Sequence, residues 1–155
     1  MSTKQKRTPT VRLTAFWDTS GIVPLCCHQP QSTQAYKTAR LYSRQVVWWA
    51  TPVEAVSALH RLVREEYLTR EGLRQARKRL AHLRERWTEV EPAESIRDSA
   101  ERILSIYKLR TADALQLASA LVWCNHRARG HHFIGSDQGL SDAAESEGFT
   151  VIQLL

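Results

Sequence analysis

Residues 132–152 read HFIGSDQGLSDAAESEGFTVI, a stretch whose apolar and polar pattern indicates the fold class. It predicts a short strand at 132–135, a helix at 138–147 and a second strand at 149–152. Two strands joined through a helix lie parallel in a sheet, because the crossover returns the chain to the same end. The stretch therefore indicates an α/β fold built around a parallel sheet.

The same alternation of strand and helix extends toward the N-terminus. Further strands are predicted at 11–17, 46–50 and 87–90, and further helices at 32–43, 51–68, 69–87, 92–109 and 111–125. The helices at 51–68 and 69–87 are both amphipathic and follow each other directly, which predicts a protruding helical hairpin. We expect a three-layer α/β/α domain with a mostly parallel central sheet.

Length and composition are those of one ordinary globular domain. The chain has 155 residues, of which 43% are hydrophobic and 25% are charged. We expect a single domain at residues 12–155, preceded by a flexible basic tail at 1–11. No apolar run is long enough to cross a bilayer, and the first residues lack the apolar segment of a secretory signal. Three cysteines, two of them adjacent, form no disulfide framework, so we expect a cytoplasmic protein.

The net charge of +6 is unevenly distributed along the chain. Residues 1–12 hold four Lys or Arg residues and no acid, and residues 61–86 hold nine against four Glu residues. The rest of the chain is net acidic. Basic segments around an acidic body favour a polyanionic partner, although solvated surface charge would give the same composition.

Four carboxylates stand in apolar surroundings, where ordinary surface charge does not explain them: Asp18, Glu54, Asp113 and Asp137. Each is predicted at the carboxyl end of a strand or in the first turn of a helix. In an open parallel sheet ligands bind at that edge, and clustered carboxylates there suit a hard cation such as Mg²⁺ or Mn²⁺. Helix capping is the alternative for each acid, most clearly for Glu54 in the capping-box pattern Thr51-x-x-Glu54.

The segments around these acids resemble the motifs of the PIN-domain ribonucleases. In chain order they are FWDTSGIVPL, TPVEAVSALHRL, LRTADALQLASAL and FIGSDQGLSDAAESEGFTVI. The resemblance covers residues 13–155, and the size and layout look most like the VapC-type toxins of bacterial toxin–antitoxin pairs. It implies a PIN-like domain that acts as a metal-dependent endoribonuclease, is neutralised by a cognate antitoxin and forms a homodimer.

Carried over to this chain, the resemblance implies that the four acids form a catalytic Mg²⁺ or Mn²⁺ centre. Ser20 matches a small hydroxyl residue that supports the site. The family often has Thr or Ser two residues before the last acid, whereas this chain has Gly135 there and Ser136 next to Asp137. Ser136 is therefore the candidate for support at that end.

Arginines near the motifs are candidates for binding the RNA backbone. They are Arg61, Arg64 and Arg110, and further basic candidates are Lys37 and Arg40 on the predicted helix at 32–43 and Arg44 directly after it. Ordinary solvated helix surface is the alternative for each of them.

Two other functions are compatible with parts of the sequence. A zinc site would use Cys124, His126, His131 and His132, but their spacing matches no usual zinc pattern. A non-catalytic nucleic-acid-binding or regulatory module would use the same scaffold. Clustered acids disfavour it, because a protein that only binds polyanions gains nothing from them.

Overall fold

The computed structural model describes residues 11–155 and contains one five-stranded sheet. The strands are β1 (Thr14–Trp17), β2 (Arg44–Trp48), β3 (Thr88–Val90), β4 (His132–Gly135) and β5 (Thr150–Gln153). Their order across the sheet is β3-β2-β1-β4-β5, and every neighbouring pair is parallel. The predicted parallel sheet is confirmed. Residues 1–10, which make up most of the predicted basic tail, lie outside the described residues.

Seven helices in this part of the chain cover the two faces of the sheet. They are α1 (Thr19–Cys26), α2 (Ser32–Leu41), α3 (Thr51–Arg64), α4 (Arg70–Arg84), α5 (Glu94–Ile106), α6 (Thr111–Trp123) and α7 (Gln138–Ser146). Helices α1 to α4 pack on one face and α5 to α7 on the other, which confirms the three-layer α/β/α fold. None of these helices is long and apolar enough to span a membrane.

The two hydrophobic cores follow from the alternation of side chains along the strands. In β1, Phe16 packs among α5, α6 and α7, whereas Ala15 and Trp17 pack among α1 to α4, and all three are fully buried. The Phe16 ring stacks on Phe133 of the neighbouring strand, with ring centroids 5.5 Å apart. A central strand that is buried on both faces reads as a continuous apolar run, as the sequence does here.

Helix α1 was not predicted, because its sequence disfavours a helix. It has only eight residues, with the β-branched pair Ile22 and Val23 and with Pro24 inside. Burial against the sheet and against α3 and α4 compensates for this low propensity, since every residue from Gly21 to Cys26 is buried. Tertiary packing therefore decides the conformation of this segment.

Most other predicted boundaries differ by a few residues. Strand β1 begins at Thr14, and β2 spans Arg44–Trp48, two residues earlier than predicted. Helix α3 ends at Arg64 and not at residue 68, because Glu66 adopts a left-handed conformation with φ of 62°. Helix α6 likewise ends at Trp123, ahead of Asn125 with φ of 52°.

Candidate metal centre

The site lies where the order of the strands changes direction. From β1 the chain moves outward to β2 and β3, and it then returns to place β4 on the other side of β1. Ligands bind outside the carboxyl ends of parallel strands at such a switch point. A cavity of about 600 Å³ opens there, and its lining includes the four predicted acids Asp18, Glu54, Asp113 and Asp137.

Asp18 is the most buried of the four acids, with a relative exposure of 1%. It follows β1 directly and caps α1, since its Oδ1 accepts hydrogen bonds from Ser20 Oγ at 2.5 Å and from Gly21 N at 3.2 Å. The other oxygen, Oδ2, is buried and has no hydrogen-bond partner in the described part of the chain. Burial raises the pKa of Asp18 to about 7, against the lowering effect of the Ser20 and Gly21 hydrogen bonds, and Asp137 raises it slightly further.

Gly135 explains how this carboxylate fits against the sheet. A Cβ atom at position 135 would overlap the Asp18 carboxylate, so a residue with a side chain there would push Asp18 aside. The departure from the usual Thr or Ser at this position therefore allows Asp18 to pack against β4.

Ser20 supports both ends of the site. Its Oγ donates to Asp18 and accepts hydrogen bonds from the backbone N–H of Ser136 at 2.8 Å and of Asp137 at 3.3 Å. Its carbonyl accepts from Ser136 Oγ at 3.3 Å. That carbonyl lacks its usual helical donor, because the residue four positions later is Pro24. Ser20 and Ser136 thus join the start of α1 to the loop after β4.

Glu54 is held by hydrogen bonds from two other elements and not by its own helix start. Its Oε2 accepts from Thr19 Oγ1 and from Gln116 Nε2, each at 2.5 Å. The capping-box interpretation is wrong: the N-cap of α3 is Ala50, which makes no side-chain capping bond, and Thr51 Oγ1 instead accepts from Gln116 at 3.1 Å.

Gln116 is the residue of the site that sequence reasoning missed. It has a relative exposure of 2%, and its Nε2 also lies 2.9 Å from Thr19 Oγ1. The signal in the sequence is a large polar residue three positions after Asp113, within the stretch ALQLASAL, whose other residues are apolar or small. Residues three apart share a helix face, so a buried polar residue there points toward the same cavity.

Asp113 and Asp137 complete the group of acids. Asp113 is half-buried in the first turn of α6, and its pKa is raised by burial first and then by the charges of Asp137 and Glu54, while Arg110 lowers it. Asp137 is exposed and caps α7, with its Oδ1 accepting from Leu140 N at 2.8 Å. The capping interpretation holds for Asp18 and Asp137, and it does not prevent either from facing the cavity.

The predicted arginines do not all reach the cavity. Arg61 lines it, together with Ala58 and Leu62 of α3. Arg64 lies exposed at the end of α3, and Arg110 precedes α6, where its charge acts on Asp113; neither lines the cavity. Among residues 11–155, Arg61 is the only Lys or Arg that lines the cavity, where it could meet an anion held among the acids.

The donors fit a hard divalent cation better than any other charged group. All four are carboxylates, Asp18 Oδ2 has no partner among residues 11–155, and the charge of Asp137 raises the pKa of both Asp18 and Asp113, an effect that a cation would reverse. Within residues 11–155, however, no three acidic, His or Cys side chains are close enough to hold one ion as they stand. Gln116 anchors Glu54 and Ser20 anchors Asp18 Oδ1, so a cation held by three of these acids would require some of their side chains to move.

The cysteine and histidines considered for zinc do not form such a group in the described part of the chain either. Cys124 Sγ donates to Leu121 O at 3.5 Å, and the His131 ring meets Trp123 edge-on at 5.1 Å between centroids. These side chains belong to local packing at the end of α6.

Comparison with known proteins shows the family and the fold of the chain. A family model described as "PIN domain" matches residues 15–145. Among solved structures, the crystal structure of PAE2754 from Pyrobaculum aerophilum superposes with a TM-score of 0.61 at 17% sequence identity, covering 92% of this chain and 91% of that one. That likeness concerns the fold alone. No curated protein matches the chain.

Proposed function

Because the chain belongs to the PIN-domain family, we propose that it is a Mg²⁺- or Mn²⁺-dependent endoribonuclease of the VapC toxin type. PIN domains are generally metal-dependent nucleases that act on nucleic acid. The finer assignment, to RNA as substrate and to a toxin neutralised by an antitoxin, rests on the four motifs and their spacing.

One observation carries the proposal: all four predicted acids line a single cavity at the switch point of the sheet. They come from four separate places in the sequence, after β1, on α3, on α6 and after β4. Helix capping explains Asp18 and Asp137 individually, but it does not explain why Glu54 and Asp113 face the same space. A shared cation explains all four.

In this proposal Asp18, Glu54 and Asp113 hold the cation, and Asp137 holds a second ion or orients the attacking water. A bound divalent cation would supply an activated water and positive charge for the phosphate in the transition state. Gln116 and Thr19 fix one oxygen of Glu54, and Ser20 fixes one oxygen of Asp18, so the opposite oxygens remain for the ion. Arg61 at the rim attracts the RNA backbone.

Cleavage of RNA in single-turnover experiments tests this assignment. We expect cleavage with Mg²⁺ or Mn²⁺ and none with EDTA. Asp113→Asn should lower the cleavage rate by roughly a hundredfold or more, because it weakens the hold on the cation at the reacting centre. Asp98→Asn is the matched control, because Asp98 is an exposed acid of α5. This variant should cleave RNA at the wild-type rate. Cleavage that persists in EDTA, or a folded Asp113→Asn protein with full activity, would rule the mechanism out.

We further propose that the protein is cytoplasmic and that residues 12–155 form its single domain. We propose that it forms a homodimer and binds a cognate antitoxin. Exposed apolar side chains at the edge of the site support a partner there. Val53 lines the cavity with 70% of its surface exposed, and Trp49, just after β2, is 50% exposed. The three cysteines are free and buried, which agrees with a reducing compartment.

A further inference from the structure

A second pocket, of about 380 Å³, lies between α1, α2 and α4 and is separate from the acidic cavity. We name it the α1–α4 pocket; the residues that matter here are Leu25, Tyr36, Lys78, Arg79 and His82. Its volume is within the range of small-ligand sites, roughly 300–1,000 Å³. Its lining contains cations and an aromatic ring but no carboxylate.

The aromatic ring of the pocket is fixed and accessible. Tyr36 is 45% exposed, and its hydroxyl donates to the Leu25 carbonyl at 3.4 Å at the end of α1. An exposed ring held at its polar end offers its surface to a flat, apolar ligand group. Nucleobases stack on such rings whatever their identity, because every base has a π-face.

The cations of the pocket are available to an anion. Arg79 Nη1 donates to the Cys26 carbonyl at 3.0 Å, which fixes Arg79 at the pocket wall, and Lys78 is exposed beside it. Within residues 11–155 neither Lys78 nor Arg79 makes an ion pair. Unpaired cations next to an accessible aromatic ring are the combination that binds single-stranded nucleic acid.

The route between the two cavities also suits a polyanion. The segment from the end of α1 to α2 lies between them, since Val23, Gln29 and Gln31 line the acidic cavity and Leu25 and Tyr36 line the α1–α4 pocket. Asp18 and Leu25, at the two ends of this side of α1, are seven positions apart, or about 10 Å along a helix. The chain has no acid from Thr19 to Val53. An RNA strand that leaves the acidic cavity past Gln29 and Gln31 therefore meets no negative charge from this segment.

We propose that the α1–α4 pocket is a subsite for the single-stranded segment of RNA that flanks the cleaved bond, with a base on Tyr36 and a phosphate at Lys78. The inference rests on the proposed function of the acidic cavity, because it makes the pocket an extension of that substrate site. An acidic peptide is the competing occupant. It fits less well, because the pocket adjoins the acidic cavity, whose four carboxylates would repel an acidic peptide.

Equilibrium binding of a short, fluorescently labelled single-stranded RNA tests the subsite. The measurement is made in EDTA, so that cleavage plays no part. We expect Tyr36→Leu to weaken binding about tenfold and Tyr36→Phe to preserve it, because the ring and not the hydroxyl stacks on the base. Lys78→Ala should weaken binding and lower the salt dependence by about one counterion.

Tyr67→Leu and Arg97→Ala are the matched controls, because Tyr67 and Arg97 are exposed and lie outside both cavities. Both should bind RNA as the wild type does. Wild-type affinity in Tyr36→Leu and Lys78→Ala, or no RNA binding by the wild type, would overturn the subsite. The subsite would also be overturned if Tyr36→Leu and Lys78→Ala lose affinity for a polyglutamate peptide, as a model acidic peptide, and keep their affinity for RNA. A protein that cleaves RNA regardless of these changes refutes the subsite alone, and one that binds RNA through Tyr36 without cleaving it refutes the nuclease alone.

Discussion

Asp18 places a carboxylate where the folded protein disfavours its charge. The side chain is almost fully buried, one oxygen has no partner, and its pKa is raised to about 7, chiefly by burial. Such a group destabilises the protein when it is ionised and becomes useful when a cation neutralises it. An ionised Asp18 therefore lowers the stability of the metal-free protein, whereas the same negative charge would favour the binding of a cation.

This conflict predicts a pH-dependent effect of Asp18→Asn. Because the pKa is higher in the folded than in the unfolded state, the folded protein holds the proton more tightly. The contribution of protonated Asp18 to the free energy of unfolding is therefore fully present below about pH 4 and is lost as the pH rises through about 7. Without metal, Asp18→Asn should raise the free energy of unfolding by roughly 1–3 kcal/mol at about pH 8 and change it little at about pH 4.

Urea denaturation at the two pH values measures this difference. Asp98→Asn, at an exposed position on α5, should change stability by less than about 0.5 kcal/mol at both. An Asp18→Asn protein that is equally or less stable than the wild type at the higher pH would show that Asp18 is not a source of strain.

Part of the site was predictable residue by residue, and part was not. The four acids were identifiable because carboxylates are costly in apolar sequence surroundings, and the cavity brings all of them together. Gln116 was missed because a neutral amide in an apolar helix has no comparable cost until its partners are known. The role of Gly135 depends on which way Asp18 turns, and a sequence does not contain that information.

At the scale of elements, Gln116 joins helices that are distant in sequence. Its amide reaches Thr19 on α1 and both Thr51 and Glu54 on α3 from its own place on α6. The helices α1 and α3 belong to one layer and α6 to the other, so this buried contact connects the layers at the edge of the sheet. It sets the position of Glu54 relative to the other acids.

We therefore expect Gln116→Met, which keeps the volume but removes the donor, to lower RNA cleavage roughly ten- to a hundredfold while RNA affinity is retained. Glu54 would keep only the Thr19 hydrogen bond. Gln34→Met is the control: Gln34 is a half-buried glutamine on α2 that donates to Gln153 O at 3.1 Å, away from the cavity. If Gln116→Met cleaves RNA as fast as Gln34→Met, the amide has no positioning role.

The elements differ in how far sequence predicts them. Strand β4 is found at His132–Gly135 as predicted, because the polar residues on both sides of this short apolar run mark where the strand begins and ends. Helix α1 was missed because its local propensity is poor and its packing supplies the stability. Helix ends such as that of α3 depend on single residues in left-handed conformations, here Glu66, which sequence rarely marks.

At the scale of the whole molecule, acidic and basic regions are separated. The acids meet in one cavity, whereas α4 carries six Lys or Arg residues and a single Glu. The fold class was predictable because the alternation of strands and helices constrains the topology of a parallel sheet. The partners are not predictable in the same way, since the exposed surface alone does not identify what covers it.

The toxin assignment makes a prediction for the living cell. Expression of the chain alone should stop growth in a bacterium, and the Asp113→Asn variant at equal abundance should not. Co-expression with a cognate antitoxin should restore growth, and the two proteins should purify together. Normal growth with abundant, folded wild-type protein would contradict the toxin assignment, although the nuclease assignment would remain to be judged by RNA cleavage.

Titration with Mn²⁺, followed by electron paramagnetic resonance, tests whether the four carboxylates form a divalent cation site. We predict that the wild type and Asp98→Asn bind Mn²⁺ in a form that Mg²⁺ displaces. Asp18→Asn and Asp113→Asn should bind at least about tenfold more weakly, because each loses one charged ligand. Wild-type Mn²⁺ affinity in both of these variants, or no binding by the wild type at millimolar Mn²⁺, would contradict the account.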